Sequence, residues 1–170
     1  MLRISKLTDY ATVVLGALAR NAVASHSAAQ LAEATGIALP TVSKVLKALH
    51  RGGLVASTRG ARGGYQLSRP AAAISAVDII DAMEGPVGLT ECATQPGSCG
   101  LEHTCQSGDA WQRVNLAVRR ALQEVSLPEL TGQHTASEAR AATASQSPAE
   151  FAAALRAGTL RARTIEGGAL

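Results

Sequence analysis

Aromatic residues are almost missing from this chain of 170 residues, which has one Trp, one Phe and two Tyr. Any core must therefore be built from Ala, Leu, Val and Ile, and the 46% apolar content suffices for that. No apolar run reaches the ~18 residues that a membrane-spanning helix needs. The opening stretch, MLRISKLTDYATVVLGALARNAV, has an apolar run broken by Asp9 and Arg20 and carries no small-residue cleavage site. It does not read as a signal peptide, so a cytoplasmic protein with no membrane partner is expected. Also missing are an HExxH motif, a phosphate loop and a nucleophile–base constellation, so no enzyme is expected. The length suits one domain with extensions.

Acid is scarce in the first 70 positions, where Asp9 and Glu33 stand against nine Lys or Arg. The remainder carries seven basic and eleven acidic residues. A basic first half joined to an acidic second half suggests a module for a polyanion, followed by something else.

Residues 7–21 are periodic at helical spacing through Leu7, Ala11, Val14, Leu15 and Leu18, with Thr8 as the expected cap and Asp9 in the first turn. Ser27 is expected to cap a second helix that stops at Gly36. Pro40 suits the first turn of a third, which Gly52 and Gly53 end. Two short helices around a tight turn, the second of them cationic, form a helix-turn-helix pattern. On the third helix Val42, Val45, Leu46 and Leu49 should pack inward. Thr41, Ser43, Lys44 and Lys47 should face out, towards bases and phosphates of double-stranded DNA.

Strands are expected over 54–58 and 65–68, with a loop between them that places Arg59 and Arg62 at its tip. That hairpin makes the motif winged, and arginine at such a tip suits a narrow minor groove. Ser75 should cap a helix ending at Gly85, and Asp109 a long one stopping before Pro128. Trp111, Val114, Val118, Ala121, Leu122 and Val125 form a stripe on the long helix, suited to a second subunit or to its own domain. From about Leu130 the chain turns Ala/Ser/Thr-rich with no persistent period. The expected fold class is mainly α: a winged helix-turn-helix with a small β-hairpin wing and a long C-terminal dimerisation helix. The expected division is 1–74 for DNA binding, 75–130 for a cysteine loop and dimerisation helix, and 131–170 for a low-complexity tail.

The only cysteines, Cys92, Cys99 and Cys105, fall in one glycine-rich stretch, ECATQPGSCGLEHTCQSGD. Three thiols cannot all pair internally. Thiolates are soft ligands that favour zinc, copper(I) or iron–sulfur clusters. Zinc sites usually show close C-x2-C pairs, which are missing here. Buried small hydrophobes suit a polar loop poorly, and a redox switch stays open beside an iron–sulfur cluster.

The run ISKLTDYA, then GIALPTVSKVLKALHRGGLV, the wing STRGARGGYQLSRP, AISAVDIIDAMEG and three cysteines before a tryptophan-led helix resemble the bacterial winged-helix iron–sulfur regulators. That family includes the iron–sulfur assembly regulator, the nitric-oxide-sensitive repressor and the SUF-operon regulator. The resemblance covers about residues 1–130, and the start LRISKLTDYATVVL looks most like the SUF branch. It implies a homodimeric repressor crossed by the long helix, with a 4Fe–4S or 2Fe–2S cluster held by Cys92, Cys99 and Cys105. Cluster gain, loss or damage would change DNA affinity and control iron–sulfur assembly genes. Lys44 and Lys47 fall on the family's recognition helix and Arg59 on its wing arginine.

This sequence departs from the family twice. It has six residues between the first two cysteines where five are common. Gly108 stands where the 2Fe–2S branch has its histidine ligand. Another branch completes a 4Fe–4S cluster with an aspartate from the partner subunit, and Asp9 matches that position. Asp9 is the first candidate for the fourth ligand and His103 the next, followed by Glu91, Glu102, Asp109, a small molecule or none. Two rivals stand beside the cluster reading: a cluster-free cysteine redox switch and a winged-helix protein-interaction module.

Overall fold

A computed structural model describes residues 4–58, 60, 63–95, 97–100 and 104–133. Arg59, Arg62, Glu102 and His103 lie outside the described residues, as do residues 134–170. Residues 1–133 form one compact unit.

Helix α1 spans Lys6–Ala19. Its cap is Ser5, whose Oγ accepts the Thr8 N–H at 3.3 Å, and not the expected Thr8. Thr8 lies inside the helix, is 3% exposed, and donates its hydroxyl to Glu84 from far along the chain. Helix α2, Ala28–Thr35, begins with the expected Ser27. Gln30 N–H donates to Ser27 Oγ at 3.2 Å and Ser27 N–H to Gln30 Oε1 at 2.8 Å, which satisfies two orphan donors at once. The helix stops at Gly36, whose φ of 69° a side chain would strain.

Helix α3, Leu39–Arg51, has Pro40 in its first turn, where no N–H is needed. Gly52 follows it, and a Cβ there would run into the Ala82 side chain, so only glycine lets the end of α3 settle on the later helix. Strand β1, Val55–Thr58, pairs antiparallel with β2, Gly64–Leu67, in the register Val55↔Leu67 and Thr58↔Gly64. This is the expected wing, with each strand shifted by one residue at its start. His26 extends the ladder by one bridge: its N–H donates to Tyr65 O at 3.0 Å, and its carbonyl accepts Tyr65 N–H at 2.8 Å.

A 3-10 turn, Ala71–Ala73, leads to α4, Ala76–Glu84, capped by Ser75 as expected and supported by Asp78. The cysteine segment, expected as loop, contains a one-turn helix α5, Glu91–Thr94. Helix α6 is Gly108–Glu124. Asp109 lies in its first turn and is not its cap; Ser107 holds that position without a side-chain capping bond. A short helix α7, Leu127–Leu130, follows, with Pro128 in its first turn. The sequence stop before Pro128 marks the end of α6, and Pro128 then starts a new helix because its fixed φ suits a helix start.

The core lies where α1, α2, α3, the hairpin base and α7 meet. Ala11, Val14 and Leu15 of α1 and Val42, Val45, Leu46 and Leu49 of α3 are fully buried. Each buried aliphatic side chain contributes roughly 1.5–3 kcal/mol, so no aromatic anchor is required. The strand-like segment after α6 returns to α4: Ala76 N–H donates to Val125 O, and Leu127 N–H to Ile74 O, each at 2.8 Å. Leu127 closes the core, and Gln133 Nε2 donates to the Gly16 carbonyl at 2.9 Å. No helix among the described residues is long and apolar enough to cross a membrane.

Candidate functional site

The outer face of α3 follows directly from its buried face. With Val42, Val45, Leu46 and Leu49 inside, Lys44 and Lys47 are exposed and Thr41 and Ser43 half-exposed. Lys44 and Lys47 line a shallow notch of about 420 Å³ together with His50 and Arg51, which sequence reasoning had not singled out. Their signal was in the register, since residue 51 lies seven positions from 44 and so shares its face. The ion pairs among the described residues are Arg69–Asp78 and Arg119–Asp81, each at 2.8 Å, so no carboxylate neutralises this notch.

The thiol segment hangs between α4 and α6. Cys92 and Cys99 are half-buried and Cys105 is exposed, and all three are free thiols. Cys92 lies in α5, with its Sγ 3.3 Å from Thr90 Oγ1. Gln112 Nε2 of α6 donates to the Cys92 carbonyl at 2.9 Å, and Leu89 N–H donates to the buried Asn115 at 3.3 Å. Cys105 Sγ is 3.4 Å from Ser107 Oγ. The Ser107 hydroxyl, then the Ser107 and Gly108 backbone N–H groups, hold the Cys105 thiol below its ordinary value. Gly108 therefore supplies an amide where the resemblance would have a histidine ring. Ser107 was invisible in the sequence as a functional residue, since serine before a helix reads as a cap.

A polar latch joins α4 to α6. Arg119 Nη2 donates to Asp81 Oδ2 at 2.8 Å and Nη1 to Oδ1 at 3.2 Å, while Asp81 Oδ1 also accepts Val87 N–H at 2.8 Å. The Arg119 pKa is raised, chiefly by its hydrogen bond to Asp81. Beside the latch, Val118 and Leu122 pack on Val77, Ile80 and Val87. The α6 stripe is thus divided. Its C-terminal part packs on its own unit, while Trp111 and Val114 remain 46% and 44% exposed and Ala121 is exposed.

Asp9 is exposed in the first turn of α1, where it complements the positive end of that helix. It opens onto a mostly apolar groove of about 280 Å³ between α1, α4 and α6, lined also by Ile4, Ile79, Ile80, Leu122 and Leu130. Among the described residues no three His, Cys, Asp or Glu side chains come together as a metal-binding group. The donor chemistry fits an iron–sulfur cluster: three free thiols, one of them shifted towards thiolate, on a segment with glycine joints at Gly97, Gly100 and Gly108. The folded single chain does not by itself gather that set with Asp9.

The fold and residues match known proteins. The family model described as Rrf2, iron-dependent transcriptional regulator, matches residues 4–133. A candidate HTH-type transcriptional regulator of Azotobacter vinelandii is 35% identical over 107 residues, 63% of this chain and 65% of that one. A candidate HTH-type regulator of Neisseria meningitidis is 30% identical over 78% of this chain and 89% of its own. The HTH-type transcriptional regulator IscR of Yersinia pestis is 32% identical over 60% of this chain and 62% of its own. Among solved structures, CymR, the global cysteine regulator of B. subtilis, superposes with a TM-score of 0.59 at 28% identity, over 79% of this chain and all of that one. T. potens IscR superposes with a TM-score of 0.55 at 25% identity, over 78% of this chain and 88% of that one. These relatives are named as regulators, and the described chain carries the mostly helical fold and hairpin of the solved ones. The chain belongs to the Rrf2 family of winged-helix transcriptional regulators.

Proposed function

We propose that this chain is a cytoplasmic, homodimeric repressor that couples an iron–sulfur cluster to DNA affinity and controls iron–sulfur assembly genes. Thr41, Ser43, Lys44 and Lys47 of α3 meet the major groove, and Arg59 and Arg62 of the wing meet the minor groove. Residues 1–74 form the DNA-binding part, 75–130 the cluster and dimer part, and 131–170 a tail. Assignment to the SUF branch rests on the start LRISKLTDYATVVL alone. Cys92, Cys99 and Cys105 would hold the cluster, with Asp9 of the partner subunit as the fourth ligand. When bound, such a cluster supplies a centre sensitive to iron supply, oxygen and nitric oxide. An oxygen ligand is harder than thiolate and leaves one corner more labile, which suits a sensor.

One observation carries this reading. The thiol segment is fastened to α6, and α6 is latched through Arg119 and Asp81 to α4, which packs on the DNA-facing α3. These short, packed contacts give a change in how the thiols are held a contiguous route to the recognition helix. The exposed Trp111 and Val114 of α6, with Ile4 and Leu130, supply an apolar surface for the second copy.

Anaerobic reconstitution with iron and sulfide tests the proposal. A coloured protein with bound iron and sulfide, whose affinity for the chain's own upstream duplex differs from that of the stripped protein, is expected. A colourless protein without iron or sulfide would sink it. Asp9→Ala should alter the Mössbauer or Raman spectrum, and an unchanged spectrum rejects Asp9 as ligand. A cluster-free thiol switch is the second reading. It is favoured by the exposed Cys105 with its lowered pKa. It predicts oxidant-dependent DNA binding in protein that never contained iron.

A further inference from the structure

We infer that Leu39, at the tip of α3, reads the C5-methyl group of a thymine in the major groove, and that Pro40 keeps that tip free of competing hydrogen-bond donors. The inference rests on the DNA-binding reading above and deepens it from a surface to one feature of one base.

The first observation is an exposed apolar tip. A single exposed leucine is ordinary on a protein surface. Here Ala38, Leu39 and Pro40 are exposed in succession at the start of α3, and Leu39 keeps 46% of its surface. Ile37, just before them, packs against the core, whereas Leu39 belongs to neither buried cluster. At about 100° per residue, Pro40 lies on the outer midline of the helix with Lys44, Lys47 and Arg51. Leu39 lies on the edge of that face, on the same side as Ser43. The helix is thus polarised along its length. No charged residue occurs from Gly36 to Ser43, and Lys44, Lys47 and Arg51 follow. The cationic end suits a phosphate backbone, and the neutral end suits base edges.

The second observation is how the tip satisfies its own donors. The Ala38 carbonyl accepts the Thr41 N–H at 2.9 Å and the Val42 N–H at 3.1 Å. Pro40 has no N–H. No side chain caps α3, whereas α1, α2 and α4 are capped by Ser5, Ser27 and Ser75. The surface that Leu39 and Pro40 offer is therefore one of methyl and methylene groups. Hydrogen-bonding base edges pressed against it would lose water without gaining a partner, which costs free energy. Among the four bases the major groove has one apolar feature, the C5-methyl group of thymine. Contact between that group and the Leu39 side chain removes two apolar surfaces from water at once.

Selection of duplexes from a random-core library by the full-length protein, followed by fluorescence anisotropy on the enriched duplex, tests this. Each thymidine is replaced in turn by deoxyuridine, which pairs identically and lacks only the methyl group. At one thymine per bound head, the replacement should weaken wild-type binding about fourfold, the worth of one methyl group withdrawn from contact. The same replacement should leave Leu39→Ala binding unchanged, because the partner of the methyl group is already gone. Leu39→Ala removes no charge, so its slope of log affinity against log salt should equal that of wild type, which separates a lost base contact from a displaced helix. Leu39→Gln, close to leucine in length, gives the same comparison should Leu39→Ala melt early. Uracil that costs nothing at every position, or costs both proteins equally, overturns the inference, and so does a Leu39→Ala slope that differs from wild type. A library from which no duplex is enriched defeats the DNA-binding reading itself, which is a distinct result.

Discussion

Removing Asp81 tests how the thiol-bearing half of the molecule is held to the helix-turn-helix half. Asp81 accepts two hydrogen bonds from Arg119 and one from the Val87 N–H. Both side chains of the ion pair are about one-third exposed, at 33% and 30%, so water already screens it. A paired, two-pronged arginine–carboxylate contact of this kind contributes about 1 kcal/mol. The Val87 N–H, left without its acceptor in a half-buried place, adds about 1 kcal/mol more. Asp81→Ala should therefore cost about 2 kcal/mol, or roughly 6 °C in Tm for a unit of this size. Asp81→Asn keeps an acceptor for Val87 and loses the charge, so it should cost about half as much. The decisive assay is a double-mutant cycle of Asp81→Ala with Arg119→Ala, melted at one fixed protomer concentration, because association shifts Tm. A coupling of about 1 kcal/mol is expected. If the two losses simply add, the contact carries no energy and the latch does not transmit anything.

Three further outcomes follow from local geometry. The Glu84 carboxyl is held below its ordinary value by the Thr8 hydroxyl first and the Ser5 N–H next. Its folded pKa is depressed, so its contribution is fully present above the unfolded value and is lost as pH falls through the folded one. Tm should thus drop less in Glu84→Gln than in wild type when acid scans run from pH 5 to about 3, and parallel curves would refute this. Gly64→Ala should destabilise by about 1–3 kcal/mol, because its Cβ would meet the His26 carbonyl oxygen at 2.8 Å and backbone cannot give way as a side chain can; urea melts check it. In protein free of iron, iodoacetamide should modify Cys105 faster than Cys92 or Cys99, and Ser107→Ala should slow that reaction; equal rates across all three would remove the role given to Ser107.

Much of the helix-turn-helix part was legible in the residues themselves. Ser27, Gly36 and Pro40 are short-range signals, and each acts in the structure as its local chemistry requires. The inward face of α3 followed from the spacing of Val42, Val45, Leu46 and Leu49, since a helix has only one way to put those four together. The arginines at the wing tip lie outside the described residues, so their expected place on DNA stays part of the proposal. The thiol site was legible only as a donor set. Three cysteines state what they can bind, but bringing them to one point depends on closure of the loop that carries them.

What the sequence alone determined is therefore local: element starts and stops, the buried stripe of α3, and the soft chemistry of Cys92, Cys99 and Cys105. Tertiary structure decided everything that needs a distant partner. Ser5 and not Thr8 caps α1 because Glu84, 76 positions from Thr8, takes the threonine hydroxyl. The stripe on α6 is divided because Asp81 and Val87 hold its Arg119 side, leaving Trp111 and Val114 uncovered. His50 gains a fixed ring because the chain turns back after Gly52 and Gly53 to bring the Val55 carbonyl to it. Periodicity and capping act over a few residues and are written in order along the chain. A hydrogen bond between remote residues exists only once the core has set the distance between them.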